Sequence, residues 1–188
     1  ALESLSRANP VEGGMLGSFD VAPNLWPTAA VIDWYLVLKR SPGLPERDVR
    51  MAQAAQVLRS RLNMQGTTMG FSTERTDNWW WLMMSTDANA NRLLLAMMDE
   101  PSWKEDMGRL ARGALGRQLK GHWDTTVSNA WGVLAMEKFS EAFESEPVTG
   151  ASAASLASVN RTIAWPAAAA DGKDKDKDKS VAFPWPTG

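Results

Sequence analysis

The chain has no cysteine. That absence excludes disulfides, a cysteine nucleophile, thiolate zinc sites and iron–sulfur clusters together, and it leaves the redox compartment open. A single histidine, His122, removes any multi-histidine metal site. No apolar run approaches the roughly 18 residues that span a bilayer. The opening "ALESLSRANP" lacks the basic start and apolar middle of a signal peptide, and it begins without methionine, as a fragment or a processed product would. Charge of one sign is missing too: the net charge is -2 and the pI near 5.5, so there is no electrostatic footprint for nucleic acid or an anionic membrane. No phosphate loop, serine elbow or zinc-helix motif occurs. These gaps leave no cofactor and no metal to expect.

What remains is a globular composition, 44% hydrophobic and 22% charged over 188 residues, enough for one full core and a small appendage. Ten tryptophans against one tyrosine is the unusual figure, and it asks for a fold with large gaps to fill or a site that stacks something flat.

Residues 9 to 24, rich in Pro, Gly and Asn, read as a loop. A first helix then starts near Trp26-Pro27, runs "TAAVIDWYLVLKR" and stops at Ser41-Pro42-Gly43. Pro45 opens a second, with Glu46 and Asp48 at its positive end and Gly66 marking its finish. After a loop, a third covers about 87 to 98. Ser102 and Glu105 spell a capping box for a fourth, to about Leu119, which Gly121 ends. Asp124 or Thr125 caps a fifth, "TVSNAWGVLAMEKFSEAFE". Helices two and four carry one apolar stripe each, through Met51, Ala54, Ala55, Leu58 and Leu62, and through Trp103, Met107, Leu110, Ala111, Ala114 and Leu115. Helices one and three and the first half of five, including Trp131, are apolar nearly all round, as covered helices are. Covered and half-covered helices in turn predict an inner ring wrapped by an outer one, a partial α/α toroid of helical hairpins.

An internal repeat supports the alternation. "STDANANRLLLAM" from Ser85 aligns with "DTTVSNAWGVLAM" from Asp124 at an offset of 39 residues, and "PTAAVIDWYLVL" from Pro27 is a looser third copy. Each copy reads as a polar cap followed by an inner helix. The boundary falls near residue 146. Beyond it, "PVTGASAAS" reads as a linker, and Val159–Trp165 and Val181–Trp185 alternate with period two as the strands of a short β-hairpin. The charged tract at 167–180 between them cannot form a core and reads as a disordered loop.

Three features compete for a functional role. Trp79, Trp80 and Trp81 are consecutive, so they cannot share one helix face; they read as a plug at the end of the ring, with carbohydrate stacking as the alternative. Glycoside chemistry needs two convergent carboxylates. Asp87 and Asp124 are better explained as N-caps, which leaves Glu74 and Asp77 as the acids of that alternative. "QLKGHWD", Gln118 to Asp124, resembles the glutamine–tryptophan repeats of terpene cyclases, where such residues tie a hairpin together, and Gln118, Gly121 and Trp123 are expected to take that role here. The cyclases' aspartate-rich acid motif is absent, so the likeness is architectural.

The stretches "FSTERTDNWWWLMMSTDANANRLLLAMM" and "RGALGRQLKGHWDTTVSNAWGVLAMEKF" resemble the later part of the thioester-type helical domain of bacterial alpha-2-macroglobulins. The likeness covers roughly residues 15 to 145, and the tail from Pro147 is similar to the link into the following β-sandwich domain. The resemblance implies a non-catalytic part of a broad-spectrum protease trap, periplasmic or extracellular, whose partners are target proteases and the remaining domains of its parent. It implies no thioester within this chain, because the cysteine of that bond is missing. The residue that assists acyl transfer in the family falls upstream, so the role does not pass to His122. Trp79, Trp80, Trp81, Asp87, Trp123, Asp124 and Trp131 are expected to be structural.

Overall fold

The computed structural model describes residues 1–17, 21–71, 85–144, 150–156, 159–165 and 182–183. Among them the chain is mainly helical with two antiparallel strand pairs, the second of them a short C-terminal β-hairpin. It divides into two compact units, Ala1–Phe139 and Ser140–Gly188.

Within the first unit, a short helix α1 (Leu2–Ser6) leads through two 3₁₀ turns to α2 (Thr28–Arg40). No residue of α2 is exposed, and Val31, Ile32 and Leu38 are completely buried. Trp34 is buried edge-on against Trp26, their ring centroids 6.1 Å apart. Glu3 on α1 is buried and bonded by Arg40 at 2.7 Å and by Arg7 at 3.0 Å. Burial pushes its carboxyl up, but the two guanidinium groups outweigh that and hold it below the usual range.

The next helix, α3 (Arg47–Ser60), packs on α2 and buries only Ala54 and Leu58 fully, as its single stripe predicts. It starts two residues beyond Pro45, after Glu46 in the left-handed region at φ 53°. It stops at Ser60, short of Gly66. The reason is an element not expected from the sequence: "LNMQGTTMGF" forms a hairpin of β1 (Leu62–Gln65) and β2 (Thr68–Phe71), with Gln65 opposite Thr68. Gly66 supplies the positive φ, 58°, that its two-residue loop requires. Met69 and Phe71 point inward.

Helix α4 (Thr86–Met97) has no exposed residue, and Leu93, Leu94 and Met97 are completely buried. It packs on α2, to which Arg92 is tied by an ion pair with Asp33. The capping box expected at Ser102 and Glu105 does not form. Pro101–Asp106 is a 3₁₀ turn without a side-chain cap, and α5 follows as Met107–Leu115, ending four residues before Leu119. Trp103, Met107, Leu110, Ala111 and Ala114 bury the predicted stripe, while Leu115 is 44% exposed. α5 packs on both α4 and β2. Arg59 of α3 lies 4.0 Å over the Trp103 ring and bonds Asp106 at 2.8 Å, so α3 is tied at its surface to the 3₁₀ turn that leads into α5.

Covered and half-covered helices thus alternate from α2 to α5. The alternation fails at α6 (Thr126–Phe143), where only Ser128, Gly132 and Ala135 are buried and Val133 is 64% exposed. Its apolar residues do not report a covered helix, because no described element packs over them. Trp131 is correspondingly half-buried rather than enclosed, with the guanidinium groups of Arg7 and Arg92 at 5.7 and 5.6 Å from the ring. Trp131→Ala should therefore cost about 1–2 kcal/mol, less than the 3–5 kcal/mol of a fully enclosed indole. Urea unfolding checks this; a loss above about 3 kcal/mol would place the indole in a closed core.

In the second unit β3 (Gly150–Leu156) pairs antiparallel with β4 (Val159–Trp165), in register from Gly150–Trp165 to Leu156–Val159. The strand expected at 159–165 is present. Its partner is the stretch read as a linker, whose small residues accept the extended backbone once β4 offers a hydrogen-bonding edge. The expected second strand, Val181–Trp185, and the charged tract lie outside the described residues, except Ala182 and Phe183, which are in neither helix nor strand.

Candidate functional site

The most organised polar site is where the two copies of the 39-residue repeat meet. Ser85 takes extended dihedrals and its Oγ accepts from Ala88 N at 3.0 Å, which makes it the N-cap of α4. Thr125 does the same for α6, its Oγ1 accepting from Ser128 N at 3.1 Å. Asp87 and Asp124, read as caps, are not caps. They join the two helix ends instead.

Asp87 is buried in the first turn of α4. One carboxylate oxygen accepts from Arg117 Nε at 2.6 Å, and the other accepts from the backbone N of Asp124 at 3.1 Å. Arg117 also donates to Thr86 Oγ1. Asp124 accepts from Ser85 Oγ at 3.0 Å and from Ser128 Oγ at 2.7 Å. Deeper in, Asn91 Nδ2 donates to Ser128 O at 3.2 Å. Ser85 and Asp124 are the first residues of the two repeat copies, so equivalent positions bond to each other. Capping residues normally terminate one helix; here they also fix the register between two.

Trp123 locks the same corner from the other side. It is 4% exposed, its Nε1 donates to Ala114 O at 2.8 Å, and Asn129 clasps its backbone through both amide atoms. Its ring lies directly on Gly132, where an added Cβ would stand 2.2 Å from Cζ3. The chain reaches it through a tight turn, Leu119 to His122, in which Lys120 and Gly121 both have positive φ. Gly121 therefore serves this turn, not the end of α5. His122 Nδ1 sits 3.0 Å from Trp123 O, which occupies one ring nitrogen in a local contact.

The arrangement pairs both carboxylates, Asp87 and Asp124, with donors from the two helix ends and from Arg117. Among the described residues no group of three or more His, Cys, Asp or Glu is placed to hold a metal ion, and no helix is long and apolar enough to cross a membrane. Asp87, Trp123 and Asp124 come together at this corner, and Trp131 lies one turn along α6. Trp79, Trp80, Trp81, Glu74 and Asp77 lie outside the described residues. The sequence reading missed Arg117, Ser85 and Ser128; an arginine beyond the end of α5 and a serine within the first five residues of each repeat copy were the available signals.

No protein-family profile, curated protein or solved structure matches the chain.

Proposed function

We propose that this chain is the later half of the thioester-type helical domain of a bacterial alpha-2-macroglobulin-like protease trap, running into the first strands of the β domain that follows. Its part in trapping is structural. The observation that carries the reading is the docking of consecutive repeat copies through their polar openings, with the α4 cap Ser85 bonded to Asp124 across 39 residues. Successive helical hairpins whose inner helices share one capped end are how an α/α toroid grows. The alternation of covered α2 and α4 with half-covered α3 and α5 supports the same architecture. The polar groups at the shared end are spent on holding helices, as befits a scaffold. The parent protein would act in the periplasm or outside the cell, on proteases and with its own remaining domains.

Such a segment forms no covalent bond to a target, because thioester chemistry requires a cysteine sulfur and the chain has none. Incubation with methylamine should add no mass to it. Trypsin should keep its activity on a large protein substrate in its presence, apart from competition by digestion. A stoichiometric protease complex that survives denaturation would contradict the proposal. The carbohydrate reading is separated by fluorescence: with structural indoles, oligosaccharides leave the tryptophan emission unchanged, whereas a saturable shift lost on Trp80→Ala would replace this proposal with that one.

A further inference from the structure

The short helix α1 is attached to α2 by charge rather than by an apolar core. The residues it buries are Glu3 and Ser6, both polar, while Leu2 is half-buried and Leu5 is exposed. Both buried residues meet one guanidinium of α2: Arg40 donates to Glu3 Oε1 at 2.7 Å and to Ser6 Oγ at 3.4 Å. A helix of five residues has no stability of its own, so α1 persists only while that contact does. Residues 7–10 are all exposed. The next fixed point is Val11, which is buried and donates its backbone N–H to Ser41 Oγ at 2.8 Å.

The same segment also reaches a different helix. Arg7 donates to Glu3 Oε1 at 3.0 Å, and its guanidinium lies 5.7 Å from the centre of the Trp131 ring on α6. One carboxylate thus holds two arginines, one on the first repeat copy and one turned toward the third. α6 has little else to hold it, because it buries only Ser128, Gly132 and Ala135.

We propose that residues 1–10 form a strap, hinged on the exposed residues 8–10 and anchored at Val11, which Glu3 closes across α2 and α6. Shut, the strap ties the first repeat copy to the third. Open, it leaves the Trp131 ring with Arg92 as its cation. Glu3 is the positioning residue. Without its charge Arg7 and Arg40 face each other with no anion between them, so the strap lifts and α6 loosens while α4 and α5 stay packed. This inference is independent of the protease-trap reading.

Hydrogen–deuterium exchange on the full chain tests it. Arg7→Gln, at a side chain 50% exposed, should speed exchange of the backbone amides of residues 129–136 about two- to fivefold, the factor that one partly exposed cation–π contact supplies. Glu3→Gln should do the same. The double variant should do no more than either single one, because the carboxylate acts on α6 through Arg7. In all of these the amides of α4 and α5 should exchange as in the unmodified chain. Arg50→Gln, which breaks the Arg50–Glu46 pair on α3, should leave α6 unaffected. If Glu3→Gln speeds exchange throughout the chain, it has unfolded the body and Arg7→Gln alone decides. Unchanged α6 exchange in Arg7→Gln would overturn the proposal. So would a Glu3→Gln variant in which α6 keeps its protection, or additive effects in the double variant.

Discussion

Trp123→Ala should destabilise the chain by about 3–5 kcal/mol, the range for deleting a buried indole that the surroundings cannot replace. Two losses combine. The ring fills the space above Gly132, which has no side chain to collapse into the cavity, and its Nε1–H is a partner of Ala114 O at the end of α5. A chain of this size should show a drop in melting temperature of roughly 10 °C. Trp123→Phe separates the terms, because it keeps much of the packing and loses only the hydrogen bond, a cost of about 1–2 kcal/mol. Thermal and urea unfolding followed by circular dichroism give both values. If Trp123→Ala changed stability by less than about 1 kcal/mol, the corner would not be held by this residue.

A second large effect is expected where intuition gives the opposite sign. Gly113 is inside α5, and an exposed helical glycine replaced by alanine ordinarily gains about 1 kcal/mol. Here a Cβ would stand 2.0 Å from the carbonyl oxygen of Met69 and 2.9 Å from its carbonyl carbon. Both atoms are backbone of β2, so no side chain can swing aside. Gly113→Ala must push α5 away from the hairpin and should cost about 3 kcal/mol or more. Gly108→Ala, on the same helix, meets only the flexible end of Arg112 at 3.6 Å and should be neutral or stabilising. Equal behaviour of the two variants in urea unfolding would mean that α5 and β2 are not in this close contact.

Gly113 also marks the limit of what the residues disclose by themselves. The helices were legible because 3.6-residue periodicity needs only local sequence, and the polar openings of the repeat copies were legible as caps. Which residue caps was not. Asp87 has the right chemistry for an N-cap, but Ser85 lies two residues earlier and takes that place, which frees Asp87 to pair with Arg117. That partner is 30 residues away, and no periodicity reports it. The β1–β2 hairpin was hidden because Leu62, Asn63, Met64 and Gln65 favour strands poorly; its only signals were Gly66 and the buried alternation of Met69 and Phe71. The exposure of α6 was hidden for another reason. Val133 and Leu134 are as apolar as Leu94 and Leu95, and apolarity records what a surface would bury, not whether a neighbour is there to cover it.

The protease-trap account itself turns on the intact parent. Recovered whole and challenged with an endopeptidase, it should show cleavage at one accessible segment, a more compact hydrodynamic form, and retention of the protease in a complex whose mass is the sum of both. A parent whose mass and shape are unchanged by protease, or whose other half of the toroid carries a carboxylate pair that hydrolyses glycans, would contradict the account.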